Sequence, residues 1–286
     1  MKNVHLKSFA KVNLFLKVGK IYRNTNLHNV QSLIFLIDLH DQIILKKNKK
    51  KDKIKFTGQF KKNIAKSNSI KKTLSLLRKK GFIDKKKKFD INIKKNIPVF
   101  SGFGGGSSNA ASIIKYFFKK KEISQTYINY FSKYLGSDLR VFLKSKKVFQ
   151  KNLFSIKEYK NNHNFYFVLV YPFLKSSSKN AYKNFRKNNY TKINSKNNFS
   201  FNSKHKLLNK LKSNGNSLQN IVISKFPTIS NILRELELME NCQFSRMTGS
   251  GSACFGVFLN KNHGVKALKE IKKSFPNFWC VLSRTI

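Results

Sequence analysis

The stretch that most constrains this chain is NIPVFSGFGGGSSNAAS, residues 96–112. Gly102, Gly104, Gly105 and Gly106 fall within five positions, Ser107 and Ser108 follow, and no lysine interrupts them, although Lys and Arg number 59 in the chain. Before it, KFDINIKK (88–95) alternates apolar and polar residues as a strand does. After it, Ala110, Ile113, Ile114, Phe117 and Phe118 recur at i, i+3 and i+4, which predicts a helix beginning near Ser107. Backbone N–H groups at a helix N-terminus carry partial positive charge, and glycines let them approach an anion closely. Strand, glycine loop and helix in that order predict a phosphate cradle. A plain strand-to-helix turn is the alternative, but it needs only one or two glycines. Two familiar loops do not fit. No lysine precedes Ser107, as the Walker A pattern requires. Ser107 stands where the dinucleotide fingerprint needs its third glycine, and Glu122 sits in a KKKE run, not at a strand end.

Elsewhere the pattern mixes strands and helices. In SFAKVNLFLKV (8–18), Ala10, Val12, Leu14, Leu16 and Val18 share one face. Lys11, Asn13, Phe15 and Lys17 share the other, which predicts a half-buried strand aiming Lys11 and Asn13 the same way. A second apolar run, 33–39, ends at HDQIIL, read as the start of another strand. Residues 67–80 and 124–134 read as helices, and FYFVLVYP (165–172) as a buried strand. The segment 183–214, dense in Lys, Asn and Ser, reads as mobile surface or loosely ordered helix. Helices follow near 217–224 and 228–240, then a second glycine turn feeding a strand (245–259), a helix at 263–275 and a strand at 278–283. There is no internal repeat. Strands and helices without strict alternation predict an α+β fold of two domains, 1–157 and 158–286.

Composition narrows the class. With 27 phenylalanines and 40% hydrophobic residues in 286, the chain has ample core material. The formal net charge of +47 taken alone suggests nucleic acid. But the lysines are spread over the whole chain beside Asn, Ile and Phe, residue types with A- and T-rich codons, so base composition accounts for the charge. The lysine runs read as solvated faces, with only weak, salt-labile attraction for polyanions. Cys242, Cys254 and Cys280 have no metal-ligand spacing and cannot all pair, which suggests a reducing compartment. The most apolar stretch, 165–174, is too short to span a bilayer. The expectation is a soluble cytoplasmic protein.

The loop PVFSGFGGGSSNAA resembles the phosphate loop of the galactokinase, homoserine kinase, mevalonate kinase and phosphomevalonate kinase (GHMP) superfamily. SFAKVNLFLKV resembles that family's N-terminal A-K-[IV]-N-L-x-L strand, GSDLRVFL (136–143) its G-[AS]-D-[VI]-P-[FV]-F segment, and MTGSGSACFGVF its M-[ST]-G-[ST]-G motif. NLHNVQSLIFLIDLHDQI (26–43), GGGSSNAA and NSLQN…FP (216–227) resemble the branch formed by the 4-diphosphocytidyl-2-C-methyl-D-erythritol kinases. The resemblance implies a fold with a ribosomal-S5-domain-2-like N-terminal domain and a ferredoxin-like α/β sandwich after it. It implies ATP and Mg²⁺ as cofactors, and ATP-dependent phosphorylation of the 2-hydroxyl of a cytidine-diphosphate-linked sugar alcohol on the non-mevalonate route to isoprenoid precursors. It implies no specific nucleic acid and no membrane partner. The alternatives are a GHMP kinase with another alcohol acceptor, or a basic nucleic-acid-binding protein on a kinase scaffold.

Carried onto this sequence, the resemblance makes Asp138 the group that accepts the proton of the attacking hydroxyl and Lys11 its cationic partner, both meeting phosphoryl transfer by positioning and electrostatics. The local alternative for Asp138 is a helix N-cap. ATP would lie on Pro98, Val99, Phe100, Ser101, Gly102, Phe103, Gly104, Gly105, Gly106, Ser107, Ser108 and Asn109, with Ser107 or Ser108 toward magnesium or simply capping the helix. Asn13, His28, Tyr182, Gly249 and Gly251 would contact the acceptor substrate, His28 and Tyr182 at its cytosine. The departures from the pattern are Leu27 for a tyrosine, Phe100 and Ser101 for small residues, Arg140 for a proline, and Ser217 and Gln219 for two acids.

Overall fold

The computed structural model describes residues 3–22, 27–62, 64, 68–119, 121–185, 190–193 and 201–286. Two compact units emerge, and the chain passes repeatedly between them. The first comprises Met1–Ala10, Leu39–Val99 and Gly104–Ser145, the second Lys11–Asp38, Phe100–Phe103 and Lys146–Ile286. These units follow compactness, whereas the sequence division at 157/158 follows chain order. Strands β1 (Val4–Ile21) and β2 (His28–Asn48) pair with each other and give one part to each unit. The run 33–39 and the segment after it are therefore one strand and not two, because nothing between Leu36 and Ile43 breaks the extended backbone.

In the first unit, β2 pairs antiparallel with β4 (Lys88–Lys94) over 42–48, and β4 pairs parallel with β3 (Lys53–Thr57). Four helices pack there: α1 (Ser69–Lys79), α2 (Gly105–Phe117), α3 (Gln125–Leu135) and α4 (Leu139–Lys144). Asn68 caps α1 by accepting the N–H groups of Ile70 and Lys71, and Ile70, Thr73, Leu74 and Leu77 form its buried stripe. At its other end Arg78 grips Asp52 with both guanidinium nitrogens, at 2.6 and 2.9 Å.

The second unit holds a four-stranded antiparallel sheet of β7 (Tyr166–Tyr171), β8 (Ser245–Met247), β9 (Cys254–Phe258) and β10 (Trp279–Arg284), in the order β10-β7-β9-β8. Helix α8 (Thr228–Leu238) lies between β7 and β8 in the chain, and α9 (Lys261–Ser274) between β9 and β10. That β-α-β-β-α-β succession is the expected ferredoxin-like arrangement. Its core joins Val168, Val170, Ile229, Ile232, Phe258 and Ile271. The same unit contains β5 (Lys147–Gln150), which pairs antiparallel with 32–35 of β2, and β6 (Ile156–Glu158) beside it. Three shorter helices complete it: α5 (Ser178–Lys183), α6 (Lys204–Lys212) and α7 (Gln219–Lys225).

Two sequence expectations need correction here. Residues 204–212 are not loosely ordered: Ser203 caps α6 and Leu207, Leu208 and Leu211 are buried. The leucine spacing carried that signal, masked by the lysines around it; 186–189 and 194–200 lie outside the described residues. Strand β1 is also not half-buried. Every residue from Ala10 to Leu16 is buried, Lys11 and Asn13 included, because flanking chain covers its second face. Lys11 N–H donates to the Phe103 carbonyl at 3.0 Å, and Leu16 N–H to that of Gly215.

Candidate active site

The sequence residues expected to do chemistry fall into both units, and each unit builds its own part. In the first, α2 starts on Gly104, whose φ of 73° lies in the left-handed region that glycine tolerates. Gly104 has no side chain, and no other side chain caps this helix. Helices α1, α6 and α9 are capped by Asn68, Ser203 and Asn260, while α3, α4, α5, α7 and α8, like α2, have no side-chain cap; what sets α2 apart is its glycine start. The first-turn N–H groups of α2 have no intrahelical acceptor, and no side chain caps them. Close approach also shapes the floor of this turn: a Cβ on Gly105 would stand 3.2 Å from Lys95 Nζ and 3.1 Å from Ile97 Cγ2.

Beneath that turn lies a buried polar network absent from the sequence reading. Lys95 Nζ donates to Asp41 Oδ2, and to Asn109 Oδ1 at 3.1 Å. Asn109 Nδ2 donates to Asp41 Oδ2 and to Ser8 Oγ, each at 2.9 Å. Asp41 Oδ1 accepts the N–H groups of Asn96 and Ile97 at 2.8 and 2.9 Å. Ser8 Oγ donates to Ser108 Oγ at 2.8 Å, and Ser108 Oγ to the Phe9 carbonyl at 2.6 Å. Burial lowers the Lys95 pKa, and Asp41 opposes that shift. Asn109 and Ser108, expected on the nucleotide, thus turn their side chains into the protein. No short-range pattern marks Lys95 or Asp41, since the first is one lysine among dozens and their separation is 54 residues.

Asp138 precedes α4 with φ −60° and ψ −22°, and its side chain makes no capping bond to that helix. The local alternative, an N-cap, is not what the carboxylate does. Arg140, in place of proline, is buried and reaches Asn129 Oδ1 at 3.4 Å.

In the second unit, Lys11 Nζ donates to Asn13 Oδ1 at 2.6 Å, and Asn13 Nδ2 to Ser32 Oγ at 2.9 Å. The alternation of β1 accounts for the first contact, because residues i and i+2 share a face. The turn between β8 and β9 approaches the same two side chains. Asn13 N–H donates to Thr248 Oγ1 at 3.1 Å. A Cβ on Gly249 would lie 3.3 Å from Asn13 Oδ1 and 3.5 Å from Lys11 Nζ. Asn216 Nδ2 holds that turn through the carbonyls of Met247 and Gly249, at 2.8 and 2.7 Å. Gly251, at φ 76°, faces Met247 and Val222, so it shapes the turn from behind. Gly102 is packed against the turn as well, where an added Cβ would fall 2.2 Å from the Thr248 carbonyl oxygen.

The two departures from acid near Asn216 retain an acceptor. Ser217 Oγ accepts the N–H of Val18, and Gln219 Oε1 that of Met247, at 3.1 and 3.0 Å. Phe100 adopts φ 58° and the residue is 45% exposed, so it does not fill the loop interior. Leu27 is exposed beside the tip where Tyr22 N–H meets its carbonyl.

His28 lies in an aromatic cluster. Its ring stacks on Tyr182 with centroids 5.6 Å apart, and meets Phe185 and Tyr190 edge-on at 5.9 and 5.7 Å. Nδ1 faces the Gly19 carbonyl at 3.1 Å, which fixes the ring plane. Sequence reasoning joined His28 and Tyr182 but missed Phe185 and Tyr190, which sit in the segment read as mobile.

Known proteins resemble this chain over its whole length. Residues 68–138 match the family described as GHMP kinases N terminal domain, and 196–277 that described as GHMP kinases C terminal. A 4-diphosphocytidyl-2-C-methyl-D-erythritol kinase of Pelagibacter ubique is 38% identical, with 100% of both chains covered. The chain belongs to the GHMP kinase family. A second relative of the same name, from Wolbachia sp. subsp. Drosophila simulans, is 30% identical over 98% of this chain and 97% of its own. Among solved structures, a 4-(cytidine 5'-diphospho)-2C-methyl-D-erythritol kinase superposes with a TM-score of 0.74 at 20% identity, covering 99% of this chain and 100% of that one. The Methanococcus jannaschii mevalonate kinase gives 0.67 at 18%, covering 100% and 99%. At those identities the likeness concerns the two-domain α+β fold. Among the described residues, no helix is long and apolar enough to cross a membrane.

Proposed function

We propose that this GHMP kinase transfers the γ-phosphoryl group of ATP to the 2-hydroxyl of 4-diphosphocytidyl-2-C-methyl-D-erythritol. The observation that carries the reading is the uncapped glycine start of α2, in a chain related end to end to kinases named for that substrate. The first-turn amides of α2 hold the polyphosphate, and the helix dipole adds to them. Asp138 takes the proton from the attacking hydroxyl. Lys11, whose Nζ donates to Asn13 Oδ1, has the role that the family resemblance gives it, electrostatic support of the phosphoryl transfer. Oxygen donors of the first unit, the Ser107 hydroxyl and the Asp138 carboxylate, are of the hard type that magnesium takes. Magnesium bound with the nucleotide would neutralise charge on its phosphates. His28, Tyr182 and the rings beside them suit a flat base with a polar edge.

The test is a coupled assay of the purified protein with ATP–Mg²⁺ and a panel of alcohols. The cytidine-linked substrate should be turned over far faster than mevalonate, homoserine or galactose. Asp138→Ala should lose at least about a thousandfold in kcat, a general-base and positioning loss, while still binding ADP. Turnover of another alcohol at the higher rate would replace the substrate named here. Duplex binding that survives moderate salt, with no ATP turnover, would favour the nucleic-acid alternative.

A further inference from the structure

The rings around His28 are not equivalent. Phe185 is 5% exposed and belongs to the same apolar core as Val18 and Leu153. Tyr182 and Tyr190 are only half-buried. Phe185 stacks on Tyr190 with centroids 5.8 Å apart and planes 28° apart. That stack sets the plane of the Tyr190 ring, which meets His28 edge-on. The backbone beside Tyr190 is tied down as well. Thr191 N–H donates to the Val18 carbonyl at 2.9 Å, while Ser217 Oγ accepts the Val18 N–H at 3.1 Å. The Thr191 and Ser217 hydroxyls share a hydrogen bond of 3.2 Å. Gly19 allows this close approach: a Cβ there would come 3.0 Å from Ile193 Cδ1 and 3.3 Å from the Thr191 carbonyl oxygen. The Gly19 carbonyl is also the group that His28 Nδ1 faces. Residues 190–193 thus lie against the stretch of β1 that orients His28. Leu27, next to His28 in sequence, brings no ring, and that of Tyr22 meets Phe154 edge-on at 4.9 Å.

We infer that Tyr190 is a specificity-determining residue of this chain: its ring, set by Phe185 and tied to β1 through Thr191, supplies with Tyr182 the flat surface beside His28 on which the acceptor's nucleobase rests. The inference rests on the reading that a cytidine-linked alcohol is phosphorylated here. Stacking is indifferent to which base is stacked. Tyr190 therefore favours acceptors that carry a base over those that carry none, and leaves the choice among bases to polar groups. A diphosphate separates the base from the reacting alcohol, so loss of this surface weakens ground-state and transition-state binding alike.

Steady-state kinetics of the full chain with the cytidine-linked alcohol and ATP–Mg²⁺, paired with thermal denaturation, tests the assignment. Tyr190→Ala should raise the acceptor KM about tenfold, the loss of one base–aromatic stack. Its kcat and its KM for ATP should stay within about twofold, as expected when only uniform binding of the acceptor is lost. Tyr190→Phe keeps the ring and should stay within about threefold of the parent KM. Tyr190→Leu keeps apolar bulk without a ring and should raise the acceptor KM as Tyr190→Ala does; it carries the test if the alanine variant folds poorly. Thr191→Val should raise the acceptor KM about threefold at unchanged kcat, through a looser Tyr190. The assignment is overturned if Tyr190→Ala leaves the acceptor KM within about twofold of the parent, if Tyr190→Leu restores the parent value, which marks packing alone, or if the KM for ATP rises in step. Absence of turnover by the parent protein with this acceptor would instead overturn the underlying reading of the substrate.

Discussion

Gly102 shows how little room single residues have around the β8–β9 turn. Its φ is 86°, and a Cβ would sit 2.2 Å from backbone oxygen, which cannot swing aside as a side-chain tip can. Gly102→Ala should therefore cost about 3 kcal/mol or more, from strain and clash together, read as a lower urea midpoint at unchanged slope. Lys11 and Asn13 were legible as one pair because strand periodicity alone sets them on one face. The side-chain directions of Ser108 and Asn109 were not legible, because motif position says which residues lie on a loop and not which way their side chains turn. That direction depends on Ser8, Asp41 and Lys95, brought in from strands far away in the chain. A cap at Asp138 was a fair local reading, but the backbone enters α4 already in helical φ and ψ, which does not suit a capping side chain.

At the scale of elements, helices with an apolar stripe were legible: α1, α2, α3, α8 and α9 lie where periodicity set them. Short or lysine-masked elements were not, among them β5, β6 and α6, which are defined by partners and not by pattern. Arg246 on β8 shows such a partnership. Its buried guanidinium donates to the Leu14 carbonyl of β1 and, at 3.1 Å, to that of Leu211 in the last turn of α6. It also lies over the Phe244 ring at 4.6 Å. Burial pushes its pKa down to about 10, with Glu237 opposing. Arg246→Leu should destabilise by about 3 kcal/mol, because two buried carbonyls lose their donor. Arg246→Lys should recover only part of that, since an ammonium lacks the planar fork. Chemical denaturation of both variants measures it.

For the whole molecule, charge and thiols give opposite kinds of pH and salt behaviour. The net charge of +47 should let the protein retain duplex DNA at low salt and release it by about 200 mM, since dispersed contacts are lost steeply with salt; a filter-binding titration tests this. Cys242, Cys254 and Cys280 are free thiols. Burial raises all three, Cys242 and Cys280 from 9.0 to about 11. The folded state thus holds protons that the unfolded state releases above pH 9. Stability from this source is complete below pH 9 and lost as pH climbs through 11. Urea midpoints should be level near neutrality and fall between pH 9 and 11. Cys242→Ala with Cys280→Ala should flatten that fall. Native alkylation by iodoacetamide at pH 7.5 should be slow, as thiolate is scarce.

The chain changes unit at 10/11, 38/39, 99/100, 103/104 and 145/146. No single break in the gene can therefore release a finished half, and a stop codon after residue 157 would strand the portions of β1 and β2 whose companions are encoded later. Ribosomal synthesis must hold the early hairpin in waiting until the final third emerges. Shuffling of one half onto a foreign partner would require several simultaneous joints, so relatives should inherit this scaffold whole and diversify through their loops.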